Sequence, residues 1–127
     1  MNSSLKFRRL TKKQRDKFKG HCYVAAYKFV ERNPTWTLVH GIPLGTDGKA
    51  KGIRFGHAWA EKEDSFSLTW FYDPIKDILI PKQLAYRVGC VEYTVRYSWA
   101  EAQEQASIHG TYGCWDKTID NAHHSEE

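Results

Sequence analysis

IRFGHAWAEKEDSFSLTWFYD, residues 53–73, alternates in two blocks around the polar turn Lys62-Glu63-Asp64. This is the pattern of a β-hairpin, in which successive side chains point to opposite faces. In the first block Ile53, Phe55, His57, Trp59 and Glu61 share one face. The opposite face, made by Gly56, Ala58 and Ala60, is so small that another element must pack closely against it. In the second block, Ser65 to Asp73, Phe66, Leu68, Trp70 and Tyr72 fall on one side and Thr69, Phe71 and Asp73 on the other. His57 and Asp73 share a face only if paired positions keep the same parity, which an odd-numbered loop provides. A three- or five-residue loop centred on Asp64 sets His57 opposite Phe71. Asp73 then lies one pleat along the neighbouring strand, roughly 7 Å away by backbone and within side-chain reach.

Working toward the N-terminus, TWTLVHG (35–41) alternates as a strand, and the turn-rich PLGTDGKAKG (43–52) separates it from the hairpin. Before it, Tyr23, Ala26, Tyr27 and Val30 in YVAAYKFVER fall at helical spacing, so a helix begins at Cys22 and is closed by Asn33-Pro34. Thr11 and Gln14 form a capping box for a shorter helix that runs to about Lys19 and ends at Gly20. Toward the C-terminus, Ile78-Leu-Ile80 extends the sheet briefly, and Pro81 to Val88 reads as a short helix stopped by Gly89. CVEYTVRY (90–97) is another alternating strand. Ser98 and Glu101 cap a last helix that reaches about His109, with Gly110 as its terminator. The expected class is α+β: N-terminal helices, one of them carrying Cys22, packed on an antiparallel sheet that carries His57 and Asp73.

A chain of 127 residues, 41% hydrophobic, buries one core and is too short for two ordinary domains. Residues 1–116 are therefore read as one domain, with a basic segment at 1–20 and a C-terminal tail at 117–127 that has little to bury and carries the exposed pair His123-His124. No apolar run of about 18 residues is present, and no apolar stretch follows the N-terminal charges, so neither a membrane partner nor a cleaved secretion signal is expected and the location expected is cytoplasmic. Cys22, Cys90 and Cys114, odd in number and widely spaced, are read as thiols, and without a CxxC motif no metal site is expected. The net charge of +4 is unevenly placed. Residues 1–20 carry eight Lys and Arg against Asp16 alone, and the rest of the chain is net negative.

Three places carry chemistry: Gly20-His-Cys22 at a helix start, Gly56-His57-Ala-Trp59 on a strand, and Tyr72-Asp73-Pro74 at the end of the next. A helix N-terminus and a neighbouring imidazolium both favour the thiolate form of a cysteine, the form that attacks carbonyl carbon. A histidine near Cys22 accepts the thiol proton and returns it to a leaving amine, and a carboxylate on its other ring nitrogen fixes tautomer and orientation. Each residue alone has a structural explanation: a small buried thiol, a core histidine, an Asp-Pro turn. It is their joint order on suitable elements that points to a thiol triad of Cys22, His57 and Asp73.

That order resembles the minimal core of papain-like and transglutaminase-like cysteine enzymes. The stretch His57-Ala-Trp59-x-Glu61 is also similar to the leader-peptide-cleaving proteases of lasso-peptide maturation. The set Cys22-Tyr23, Val39-His40-Gly41, His57-Ala-Trp59 and Asp73-Pro74 resembles small bacterial and phage proteins. The likeness covers about residues 20–75. It implies Cys22 as nucleophile, His57 as base and acid, and Asp73 as orienter. The chain departs from the papain pattern before Cys22, where Phe18-Lys19-Gly20-His21 has no Gln to build an oxyanion hole. The Cys22 N–H is then one donor, with His21, Tyr23 and Trp59 as candidate helpers lining the site.

The function expected is cysteine-dependent acyl transfer on a peptide, a protein or an amide-containing small molecule, as a peptidase, amidase or deamidase, without a cofactor. The alternative is a basic binding module or pseudoenzyme that holds nucleic acid or an acidic protein through Lys6, Arg8, Arg9, Lys12, Lys13 and Arg15. His40 is expected to make a core or loop hydrogen bond, Cys90 and Cys114 to be structural, and the 111–116 stretch TYGCWD to close over some part of the fold.

Overall fold

A computed structural model describes residues 5–122. Five helices, α1 (Lys12–Lys17), α2 (Cys22–Arg32), α3 (Lys82–Val88), α4 (Trp99–His109) and α5 (Lys117–Asp120), accompany five strands, β1 (Thr37–Gly41), β2 (His57–Glu63), β3 (Thr69–Asp73), β4 (Ile78–Pro81) and β5 (Thr94–Tyr97). The strands form one antiparallel sheet in the order β4-β3-β2-β1-β5. The class is α+β. Capping boxes start α1 at Thr11 and α4 at Ser98, and Gly110 ends α4 in the left-handed conformation.

Helix α2 supplies the element that the small face of the hairpin requires. Ala25, Ala26, Phe29 and Val30 form one buried cluster with Ala58 and Ala60 of β2, Leu38 of β1 and Tyr72 of β3. Alanines on both sides let helix and sheet approach closely, and large rings fill the edges: Phe29, Trp36 and Tyr72 pack with centroids 4.8 to 6.2 Å apart.

The hairpin register differs from the expected one. β2 starts at His57 rather than Ile53 and runs to Glu63, which pairs with Thr69, so the loop is Asp64–Leu68 and centres on Phe66 instead of Asp64. The cause is Asp64. Its carboxylate accepts the N–H groups of Phe66 and Leu68 and the indole N–H of Trp70, folding the turn around itself and leaving Phe66 80% exposed at the tip. Parity is kept. Continued by one position beyond Ala60↔Tyr72, the register sets Asp73 across from Trp59, still on the diagonal to His57.

Residues 53–56 belong to the β1–β2 connection, which is compact. Gly45 and Ile53 are hydrogen-bonded, Leu44 bridges Arg54, and a side chain at Gly45 would collide with the Ala50 backbone. β5 begins at Thr94 rather than Cys90. Cys90 is exposed with φ 46°, in the turn that follows α3. The C-terminal segment also buries more than its composition suggests: Asp116 caps α5, and Ile119 is fully buried. The pair His123-His124 lies outside the described residues. No helix among the described residues is long and apolar enough to cross a membrane.

Candidate active site

Cys22 is the first residue of α2, so its half-buried thiol sits at the positive end of an eleven-residue helix. The chain enters that helix from α1 through Gly20, whose φ of 82° suits a residue without Cβ. His57 opens β2 opposite Gly41, and Asp73 closes β3. Both are buried, and His57 Nε2 lies 3.3 Å from Asp73 Oδ2. The other oxygen, Oδ1, accepts the N–H groups of Ile75 (3.0 Å) and Lys76 (3.1 Å), so the turn begun by Asp73-Pro74 also clamps the carboxylate.

The electrostatics join the three residues. Burial pulls the His57 pKa down, but the charge of Cys22, hydrogen bonds to Asp73 and Cys22, and the charge of Asp73 together hold it well above its ordinary 6.5. Burial pushes the Asp73 pKa up, and the hydrogen bond and charge of His57, with the Ile75 and Lys76 N–H groups, outweigh it and hold the carboxyl below its ordinary value. With Nε2 turned to Asp73, Nδ1 is the ring nitrogen left for the sulfur; it is buried, and no hydrogen bond to it has normal geometry. A carboxylate on Nε2 fixes the tautomer and orientation of the ring.

The three helper candidates have separate environments. His21 is exposed at the N-cap of α2 and its side chain makes no capping bond. The Tyr23 hydroxyl is buried without a hydrogen bond of normal geometry; burial and then the neighbouring Cys114 raise its pKa far above the ordinary range. Trp59 is fully buried with its ring 5.8 Å from that of His57, and its indole N–H donates to Glu61 Oε2 (2.8 Å), which commits that donor away from a substrate oxygen. Glu61 is in turn held by Arg96 (2.6 Å), Lys82 and the Tyr86 hydroxyl.

His40 lies on the opposite face of the sheet from His57. It is fully buried, neither ring nitrogen has a hydrogen-bond partner, and the rings of Tyr23, Tyr97 and Trp115 enclose it at centroid distances of 4.8 to 5.1 Å. The expected hydrogen bond is absent because the enclosing side chains are aromatic. Burial lowers the His40 pKa to about 3, so the ring is neutral. The 111–116 segment closes over this histidine: a Cβ at Gly113 would come within 2.8 Å of it.

A cleft of about 620 Å³ opens on the His57 face, lined by His57, Trp59, Phe71 and Asp73 of the sheet, by the β1–β2 connection, by α3 and by α1. Sequence reasoning gave the connection no role; its signal was a ten-residue, glycine-rich link between strands that already carried His40 and His57. The basic N-terminal residues divide. Arg9 pairs with Asp77 (3.0 Å), Lys12 with Asp16 (2.9 Å), and Arg15 donates to the Leu10 carbonyl, while Lys12, Arg15 and Lys19 line the cleft. Lys6, Arg8 and Lys13 are exposed and do not line the cleft. Among the described residues, no group of three or more His, Cys, Asp and Glu side chains is placed to hold a metal ion. Compared with protein-family models, curated proteins and solved structures, the chain matches none of them.

Proposed function

We propose that this protein is a cysteine-dependent acyl-transfer enzyme of the papain-like or transglutaminase-like kind, a thiol hydrolase of peptide or amide bonds. The observation that supports the proposal is one buried imidazole, His57, 3.3 Å from the Asp73 carboxylate and close enough to Cys22 for the sulfur's charge to raise its pKa. The Cys22 thiolate attacks an amide carbonyl carbon, a C–S bond forms, and the carbonyl π pair moves to oxygen. The first turn of α2 leaves the N–H groups of Cys22, Tyr23 and Val24 without intrahelical acceptors, and these face developing negative charge at the helix start. Collapse of the intermediate breaks the C–N bond as the His57 imidazolium protonates the departing amine. Water then attacks the thioester, His57 takes one of its protons, and the thiolate leaves. The net change is amide plus water to acid plus amine.

The test is alkylation by a small electrophile, iodoacetamide, with mapping of the modified residue. Cys22 reacts at least about tenfold faster than Cys90 and Cys114 near neutral pH, and His57→Ala removes the preference. Accessibility alone predicts the reverse order, because Cys90 is exposed and Cys22 is half-buried. Fastest labelling at Cys90, unchanged by His57→Ala, contradicts the proposal.

A further inference from the structure

The cleft beside His57 has two kinds of wall. Trp59, Phe71 and Ile80 of the sheet and Val88 of α3 give it an apolar floor and side, and Val88 and Ile78 stand 56% and 43% exposed at its lip. Cationic side chains also border it. Arg15 and Lys19 come from the α1 region, Lys76 from the turn after Asp73 and Lys49 from the β1–β2 connection. The acidic residues there are few: Asp16 is paired with Lys12, Asp73 is engaged by His57 and two backbone N–H groups, and Asp47 remains. Lys19 and Lys76 are exposed and make no ion pair among the described residues. Five Lys and Arg side chains, Lys12, Arg15, Lys19, Lys49 and Lys76, thus line the opening against three carboxylates.

From this we infer the substrate class: a polypeptide segment that sets a large aliphatic or aromatic side chain into the cleft and acidic side chains against Lys19 and Lys76. The inference rests on the thiol-hydrolase reading for its chemistry and on the cleft alone for its specificity. Apolar walls supply affinity through burial, and the cationic edge selects partner and orientation by charge. A volume of about 620 Å³ accommodates several side chains and not a folded domain. The cleft is lined by His57, Asp73 and Gly20, two residues before Cys22, and not by Cys22 itself, so an occupant must extend beyond it to present an amide to the sulfur, as a peptide does. A nucleic acid would match the cationic edge and leave the apolar wall unfilled.

Three tripeptide chloromethyl ketones test it: acetyl-Glu-Glu-Leu, acetyl-Lys-Lys-Leu and acetyl-Glu-Glu-Ser. The first alkylates Cys22 at least about tenfold faster than either of the others. In the double variant Lys19→Glu/Lys76→Glu, two exposed positions, the acidic probe loses that advantage over the lysine probe, each rate being taken relative to that variant's own rate with iodoacetamide. Equal rates for the three probes, or an advantage that survives the double variant, overturn the substrate class and leave the relay untouched if iodoacetamide labelling still depends on His57. Polarisation of fluorescein-labelled acetyl-Glu-Glu-Leu-amide with Cys22→Ala reads the cleft without chemistry. Binding weakened about tenfold by the double variant supports the inference even if the relay fails. Displacement of that peptide by a single-stranded oligonucleotide but not by unlabelled peptide overturns it.

Discussion

His57 and His40 are both buried histidines a few ångströms from aromatic rings, and they have opposite protonation behaviour. His57 has a sulfur and a carboxylate to offset burial, whereas His40 has neither hydrogen bond nor ion pair and stays neutral. The consequences for stability have opposite signs. The raised His57 pKa gives stabilisation that is complete below the unfolded value near 6.5 and is lost as pH climbs through the folded one. His40, lowered to about 3, refuses a proton that the unfolded chain accepts, so its stabilisation is complete above about 6.5 and falls as pH drops toward 3. Between about pH 6 and pH 5 the loss attributable to His40 approaches about 1.4 kcal/mol per unit. Urea unfolding at about pH 6.5 and about pH 5 reads this slope. His40→Phe, which suits an aromatic enclosure, flattens it, and an unaltered slope in that variant contradicts the account. At Asp73 the same logic gives a double effect. Asp73→Asn leaves the Asx turn an acceptor but takes away the charge facing His57. It slows Cys22 alkylation at least about tenfold and costs about 3 kcal/mol in chemical denaturation, as removal of one partner from a buried pair does.

Among the elements, the β2–β3 hairpin decides whether His57 and Asp73 meet, and Asp64 decides the hairpin. Its two oxygens hold two backbone N–H groups and the Trp70 indole. Asp64→Ala leaves those donors unpaired, destabilises the fold by about 2 kcal/mol in thermal or denaturant unfolding, and increases hydrogen exchange at Phe66 and Leu68 before any other part of the sheet. Capping boxes at Thr11 and Ser98 and the alanine face of β2 were legible in the sequence because they are local: three-residue spacings and period-two alternation contain the whole signal. The hairpin register was legible only as parity. Which residue centres the loop depends on an Asp side chain folding back on backbone N–H groups and on a tryptophan six residues away, and no periodicity encodes that choice. The same limit applies to Trp59. Its place beside His57 followed from alternation, whereas the Glu61 acceptor that takes up its N–H is visible only once both side chains are placed.

At the scale of the molecule, α2 brings Cys22 to the end of the sheet where β2 begins and β3 ends, and the core beneath sets that placement. At the far end of the chain α5 also buries a side chain, Ile119, outside the cluster that α2 forms with the sheet. Composition marked 117–127 as a tail because one isoleucine among polar residues carries no pattern. Ile119→Ala therefore destabilises the domain by about 2 to 4 kcal/mol in denaturant unfolding, where a residue of a loose tail would change nothing measurable. The claim on which the functional account depends is that sulfur, imidazole and carboxylate from three separate segments share one proton and its charge. The most direct measurement is an NMR titration of the His57 ring in the native protein, in Cys22→Ala and in Asp73→Asn. The account predicts a native midpoint well above 6.5 that falls in each variant. A native midpoint at or below 6.5, indifferent to the loss of Cys22, would contradict it.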